Sequence, residues 1–379
     1  MDSKAFLTLA ETRHEWIRIT LRDLVRQESP SEDRAAVNAA VDLVEGLARE
    51  LGGRVRRHRQ KTFGDILELR FGPARSNRKP ILLLGHLDTV WPLGTLKDMP
   101  WREENGRYYG PGVFDMKAGV VMALAAIGIL KELKISRPIT LLLNSDEEVG
   151  STVSRPITEK LAAASSAVIV LEPAQGLASK TARKGVGLYN VRVTGVAAHS
   201  GLDFERGHSA ILELARQVQI ISGFTDLSIG RTVNCGVIAG GTRSNVIAQN
   251  AYAEVDVRIA KASDAARVEK FFRSLKPFDP HCKLHITGGI NRQPMERKPG
   301  TIALYKQARR FAAELGFDLP EASTGGGSDG NFTAALGIPT LDGMGAVGEG
   351  AHAAHEHVLI EHLVPRTALL ATLIAGINR

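Results

Sequence analysis

The feature that most restricts this chain is a set of short apolar runs, each ending in residues that titrate. In "ILLLGHLD" four consecutive aliphatic residues, Ile81 to Leu84, give way within two positions to His86 and Asp88. "PITLLLNSDEEVG" (138–150) repeats the pattern with Asp146, Glu147 and Glu148, and "SAVIVLEPA" (166–174) repeats it with Glu172. Runs this apolar read as strands buried on both faces. "DMKAGVVMALAAIGILKEL" (115–133) reads as a buried helix. Apolar strands alternating with helices predict an α/β fold, a mostly parallel sheet with helices on both faces.

The pattern changes in the middle of the chain. "VGLYNVRVTGVAAHSG" (186–201) alternates like a half-exposed strand, and "HSAILELARQVQII" is helical. Two antiparallel-type strands around a Gly-rich turn follow (231–260), then the helix "SDAARVEKFFRSL" and the strand "HCKLHITGG". Strand, helix, two strands, helix, strand is the order of a ferredoxin-like α/β sandwich. With 379 residues, more than one ordinary core is expected. The predicted organisation is a catalytic domain made of residues 1–184 and 293–379, interrupted by an inserted domain at 185–292.

Hydrophobic residues make up 44% of the chain and charged residues 23%, ordinary values for a globular protein. The formal net charge of +7 is spread over scattered arginines such as those of "GRVRRHRQK" (53–61), which predicts a solvated basic face and no nucleic-acid partner. Cys235 and Cys282 match no metal or redox spacing and read as reduced thiols. The N-terminal stretch lacks the layout of a signal peptide, and no uninterrupted apolar run reaches about 18 residues. A cytoplasmic protein with no membrane partner is the expectation.

In an open parallel sheet, ligands bind beyond the carboxyl ends of the strands. His86, Asp88, Asp146, Glu147, Glu148 and Glu172 fall there, with Asp115 opening the buried helix and His352, His355 and His357 in "GEGAHAAHEHV". Singly, each has an ordinary explanation: Asp115 as a helix N-cap, "DEE" as a solvated turn, His86 as a structural histidine. Together, carboxylates crowded at one sheet edge repel and raise each other's pKa unless cations neutralise them. Imidazoles with carboxylates are a natural ligand set for divalent metal. Because residues i and i+2 share a strand face, His86 and Asp88 project together, which makes Asp88 a partner that could orient His86.

"GHLDTV", "GPGVFDMKAG", "SDEEVGS", "LEP" and "GAHAAHEHV" resemble the five metal-site segments of the co-catalytic di-zinc exopeptidase and deacylase family. That family includes glutamate carboxypeptidases, aminoacylase, acetylornithine deacetylase and succinyl-diaminopimelate desuccinylase, and the likeness covers nearly the whole chain. The resemblance implies two divalent metal ions, zinc by expectation, with His86 and Glu172 on one, Glu148 and His352 on the other, and Asp115 bridging. His352 is chosen over its neighbours by the pattern Gly-Ala-His followed four residues later by Glu356. The resemblance further implies Glu147 as general base and acid, Asp88 orienting His86, and a cis peptide after Asp115. In the inserted domain it implies substrate contacts from His199, Asn245 and Arg292, the last clamping a carboxylate, and a homodimer formed through that domain. The flavour of "HLDTVWP", "TGGGSDGNF" and "DGMGAVGEGAH" is nearest the glutamate carboxypeptidases. The implied activity is hydrolysis of a peptidyl or N-acyl amino acid with a free carboxylate, such as a C-terminal glutamate; the alternative is a deacylase of the acetylornithine or succinyl-diaminopimelate type.

Overall fold

The strand Ile81–His86 lies inside a six-stranded sheet, between Ile139–Asn144 and Ala167–Val170, and runs parallel to both. The short strand Thr340–Leu341 extends the parallel set beyond Ala167–Val170. On the other side Ile66–Phe71 and Arg54–His58 add antiparallel pairings. The computed structural model describes residues 3–377. This sheet belongs to one of two compact units, built from the chain up to Ala182, Arg297–Ser323 and the part from Ser328 onward; the other comprises Arg183–Glu296 and Thr324–Gly327.

Every residue of Ile81–His86 and Ile139–Asn144 is buried. Their aliphatic side chains divide between the two sheet faces, as the period of a strand requires. Leu83, Leu141 and Ile169 join a large core with the helices, while Leu82, Leu84, Leu142 and Val170 join a smaller one. Each fully buried side chain of this kind contributes about 1.5–3 kcal/mol of transfer free energy.

The helix Ala118–Glu132 is buried on nearly all sides. With the π-helical turn before it, Val113–Glu132 reaches the length and mean hydropathy of a membrane span, which the sequence reading did not anticipate, and 94% of its apolar 18-residue window is buried. Small residues make the burial possible. Gly119 lies so close to the strand end at Leu171 that an added Cβ would come within 2.1 Å of the Leu171 carbonyl oxygen.

The second unit is a four-stranded antiparallel sheet in the order Thr232–Gly240, Asn250–Ile259, Gly185–Thr194, Lys283–Arg292. Helices Ala210–Gly223 and Ala265–Ser274 cover one face. Leu214, Ile221, Val268 and Phe272 pack there against Val191, Val193, Val255 and Val257. The alternation read in the sequence has a physical counterpart: inward positions of Gly185–Thr194 are buried, while Leu188 on the opposite face is exposed.

Gly119→Ala tests how tightly the buried helix is seated. The methyl group has no room beside Leu171, so overpacking should cost about 1–3 kcal/mol. A melting temperature equal to the parent's would show that the helix can shift freely.

Candidate metal centre

The carboxyl ends of three parallel strands converge because their registers are locked. His86 pairs with Asn144 across one ladder and Leu84 with Val170 across the other. The chain leaving each strand therefore delivers His86, the 146–148 turn and Glu172 to the same edge. His86 Nε2 lies 3.3 Å from Asp115 Oδ1 and 3.7 Å from Glu172 Oε1. His352 Nε2 lies 3.5 Å from Asp115 Oδ2 and 3.3 Å from Glu148 Oε2. The two oxygens of Asp115 thus face two separate groups, His86–Glu172 and Glu148–His352.

Several of these atoms have no hydrogen-bond partner. His86 Nε2, Asp115 Oδ1 and Glu148 Oε1 are buried yet make no hydrogen bond of acceptable geometry. Orphaned buried polar atoms are rare and costly. A tetrahedral ion with bonds of about 2.0–2.2 Å holds its ligand atoms about 3.3–3.6 Å apart; three of the spacings above fall in that range and the His86–Glu172 distance of 3.7 Å lies just beyond it. Both groups therefore fit a divalent cation, with Asp115 able to serve both.

Asp115 is not the helix N-cap the sequence offered. It sits in the π-helical turn Val113–Lys117 with extended backbone angles, its peptide bond to Met116 is cis, and the α-helix starts only at Ala118. Glu356 holds this turn. One carboxylate oxygen accepts from the main-chain N–H groups of Phe114 (2.9 Å) and Asp115 (3.0 Å). The other accepts from Gly112 N–H (3.0 Å) and Trp91 Nε1 (2.7 Å). Sequence reasoning used Glu356 only as a pattern mark; a carboxylate four residues after a candidate ligand, in a segment otherwise rich in Gly and Ala, was the available signal.

Asp88 meets the His86 ring with both its main chain and its carboxylate. The His86 Nδ1 atom is 2.9 Å from the main-chain carbonyl of Asp88, nearer than the 3.5 Å to its carboxylate. The carboxylate also accepts from the main-chain N–H groups of Glu147 (3.2 Å) and Glu148 (3.1 Å) and from the Ser31 hydroxyl (2.8 Å). Asp88 thus positions His86 through its backbone and the Glu147–Glu148 turn through its side chain. Asp146 faces away, accepting from Val153 N–H at 2.7 Å. Asp329, from the Gly-rich "TGGGSDGNF" stretch, accepts from the Asn144 side chain at 2.6 Å and from Ser151, bracing the strand end beneath the turn.

Of the C-terminal histidines, His352 reaches the centre. It is half exposed and lies at φ 61°, a left-handed conformation uncommon for a side chain with a Cβ. His357 is buried in the strand His357–Leu359, its Nδ1 2.9 Å from the His355 carbonyl oxygen. The remaining residues expected at the site, His199, Asn245 and Arg292, lie in the second unit. His199 bridges to Val246, and Ser200 N–H donates to the Asn245 carbonyl at 3.1 Å, so His199 and Asn245 occupy adjoining exposed segments. Arg292 is the last residue of its strand, opposite Val186, and is largely buried.

The titration behaviour is that of a site where protons stand in for cations. Burial works against a charged His86, but Asp115 and Asp88 outweigh it and raise its pKa well above the ordinary imidazole value. Hydrogen bonding to Asp115 and Glu148 pushes His352 up to about 10. Burial raises Glu148. Burial would also raise Asp115, but the two imidazoles hold it below the usual carboxylate range. Cation binding must expel the imidazole protons, so apparent affinity should strengthen as pH rises through the neutral range. Zinc titrated into the metal-free protein at pH 7 should release about two protons per chain, seen as heats that vary with the ionisation enthalpy of the buffer. Heats independent of the buffer would rule this coupling out.

The model of the family described as Peptidase family M20/M25/M40 matches residues 82–376. Carboxypeptidase G2 from a Pseudomonas species is 30% identical over 372 residues, covering 95% of this chain and 88% of that protein. Acetylornithine deacetylase from Myxococcus xanthus is 29% identical, covering 80% of this chain and 82% of that protein. Among solved structures, aminopeptidase PepT from Bacillus cereus superposes with a TM-score of 0.77 at 22% identity, covering 96% of this chain and 98% of that one, a likeness of fold. The chain belongs to the M20/M25/M40 peptidase family and is a metal-dependent hydrolase.

Proposed function

We propose that this protein is a zinc-dependent carboxypeptidase that cleaves the amide bond of a peptidyl or N-acyl amino acid with a free carboxylate, releasing a C-terminal glutamate or a similar residue. The observation that carries the reading is the double-facing carboxylate of Asp115, with His86 and Glu172 on one side and Glu148 and His352 on the other. Similarity to carboxypeptidase G2 over nearly the full chain supports the choice of substrate class.

In this reading His86, Asp115 and Glu172 hold one ion, and Asp115, Glu148 and His352 hold the second. Such a pair of cations supplies Lewis acidity to the scissile carbonyl and acidity to a water at the site. Glu147 accepts the proton of the attacking water and returns it to the leaving amine nitrogen. Its main-chain N–H is tied to Asp88, as is that of Glu148. One aspartate therefore fixes the backbone from which two adjacent glutamates depart toward different tasks. His199 and Asn245 hold the substrate and its developing oxyanion. Arg292 clamps the free carboxylate, for which a planar guanidinium offers two parallel donors.

The second unit also serves as the dimer contact. Exposed Leu188, Val237 and Tyr252, which share the sheet face opposite the helices, favour this role, since apolar side chains gathered on one face tend to be covered. Cys235 and Cys282 are free thiols, which suits a cytoplasmic enzyme. A second reading, deacylation of an N-acyl amino acid such as acetylornithine, is favoured by the similarity to acetylornithine deacetylase.

Zinc-loaded protein should hydrolyse folyl-glutamate or glutamyl dipeptides faster than N-acetylornithine or succinyl-diaminopimelate. Turnover of the last two alone would replace the first reading with the second. Glu147→Gln should lower kcat by about 10²–10⁴-fold while the zinc content, measured by atomic absorption, stays at the parent's level. Loss of zinc along with activity would move Glu147 from proton transfer to metal holding.

A further inference from the structure

Away from the centre described above, the second unit carries another group of ligand-type side chains: His208, Asp279 and His281. One ligand atom from each can be chosen so that all lie within 4.8 Å of one another. His208 Nδ1 is 2.8 Å from Asp279 Oδ2. The rings of His208 and His281 stack with centroids 4.0 Å apart and planes 29° from parallel. His208 and Asp279 are half-buried, and His281 is open to solvent.

We propose that His208, Asp279 and His281 form a third metal site, a two-histidine, one-carboxylate site for a divalent ion of the zinc type, separate from the hydrolytic centre.

The ligand set is the first argument. Two imidazole nitrogens and one carboxylate oxygen match the preference of borderline ions such as Zn²⁺, Ni²⁺ and Cu²⁺, and leave further coordination positions to water.

Preorganisation is the second argument. The backbone of His208 is fixed by a reciprocal pair with Val196, both bonds 2.9 Å. The loop carrying Asp279 and His281 is pinned by a buried carboxylate, Glu213 of the helix Ala210–Gly223. Glu213 accepts from Phe278 N–H at 3.1 Å and from Asp279 N–H at 3.0 Å. Gln217 donates both to Glu213 at 2.8 Å and to the Lys276 carbonyl at 2.9 Å. His281 N–H donates to Asp279 Oδ1 at 2.9 Å, leaving the other carboxylate oxygen toward His208. One ligand atom from each residue already lies within 4.8 Å of the others, against the roughly 3.4 Å spacing that a tetrahedral ion requires. A bound ion would then clip the start of one helix to the loop before the strand Lys283–Arg292, two segments some seventy positions apart in the chain, and resist local opening of this unit.

The test is zinc titration by calorimetry of the full-length protein, compared with His281→Gln and with the His208→Gln/His281→Gln double variant. The parent should take up about one more zinc per chain than the double variant, and His281→Gln should weaken that step by about tenfold or more. Amide hydrolysis should be unchanged in His281→Gln. The readout is the difference in uptake, so it stands whatever number of ions the hydrolytic centre holds. Equal uptake by parent and both variants overturns the proposal and leaves an ion pair with a stacked histidine. Should the double variant lose its near-UV dichroism, the solvent-open His281 single variant carries the same comparison.

Discussion

The buried carboxylate of Glu356 sets the geometry on which the candidate metal centre rests. Four N–H donors converge on it, three of them main-chain groups of one turn. Burial still raises its pKa, because even this set of donors replaces water incompletely. That carboxylate holds Asp115 out of helical geometry and turns both its oxygens to account. An ordinary helix start at Asp115 would spend its side chain on capping N–H groups. Here Glu356 satisfies the turn's own donors, and the Asp115 carboxylate is left to face His86 on one side and His352 on the other.

Charge balance explains the rest of the edge. Asp88, Asp115, Glu147, Glu148 and Glu172 gather around one buried imidazole, His86, and one half-exposed imidazole, His352. Without cations the imidazoles must carry protons, and their raised pKa values express that need. The apolar strands contribute rigidity: every residue from Ile81 to His86 is buried, so the His86 backbone cannot yield to the charges beyond it.

Much of this was legible in the sequence because strand physics writes it there. Four aliphatics followed by Gly-His-Leu-Asp read as a core strand that stops at a polar edge, and three such runs in parallel place their ends together. The ferredoxin-like order of the second unit was legible from alternation and turn chemistry. Other features were hidden because they depend on partners far apart in the chain. Asp115 looks like an N-cap until Glu356, 241 positions later, is seen to hold its N–H. The i, i+2 spacing of His86 and Asp88 suggested a side-chain pair, but the tight turn after the strand brings the Asp88 carbonyl nearer to the ring. The His208–Asp279 contact is likewise invisible in sequence, since neither residue falls in a recognisable spacing.

The close seating of Gly119 on Leu171 has a consequence for how the two ion-facing groups can move. Asp115 precedes the buried helix by three residues, and Glu172 follows Leu171 directly. With no side chain at Gly119 to act as a spacer, helix and strand end meet backbone to backbone. A contact in the core therefore limits the distance between these two carboxylates, alongside the hold of Glu356 on the Asp115 turn. On the Asp115–Glu172 side, the centre behaves like a gauge cut into the sheet edge, its span tied to the Gly119–Leu171 contact.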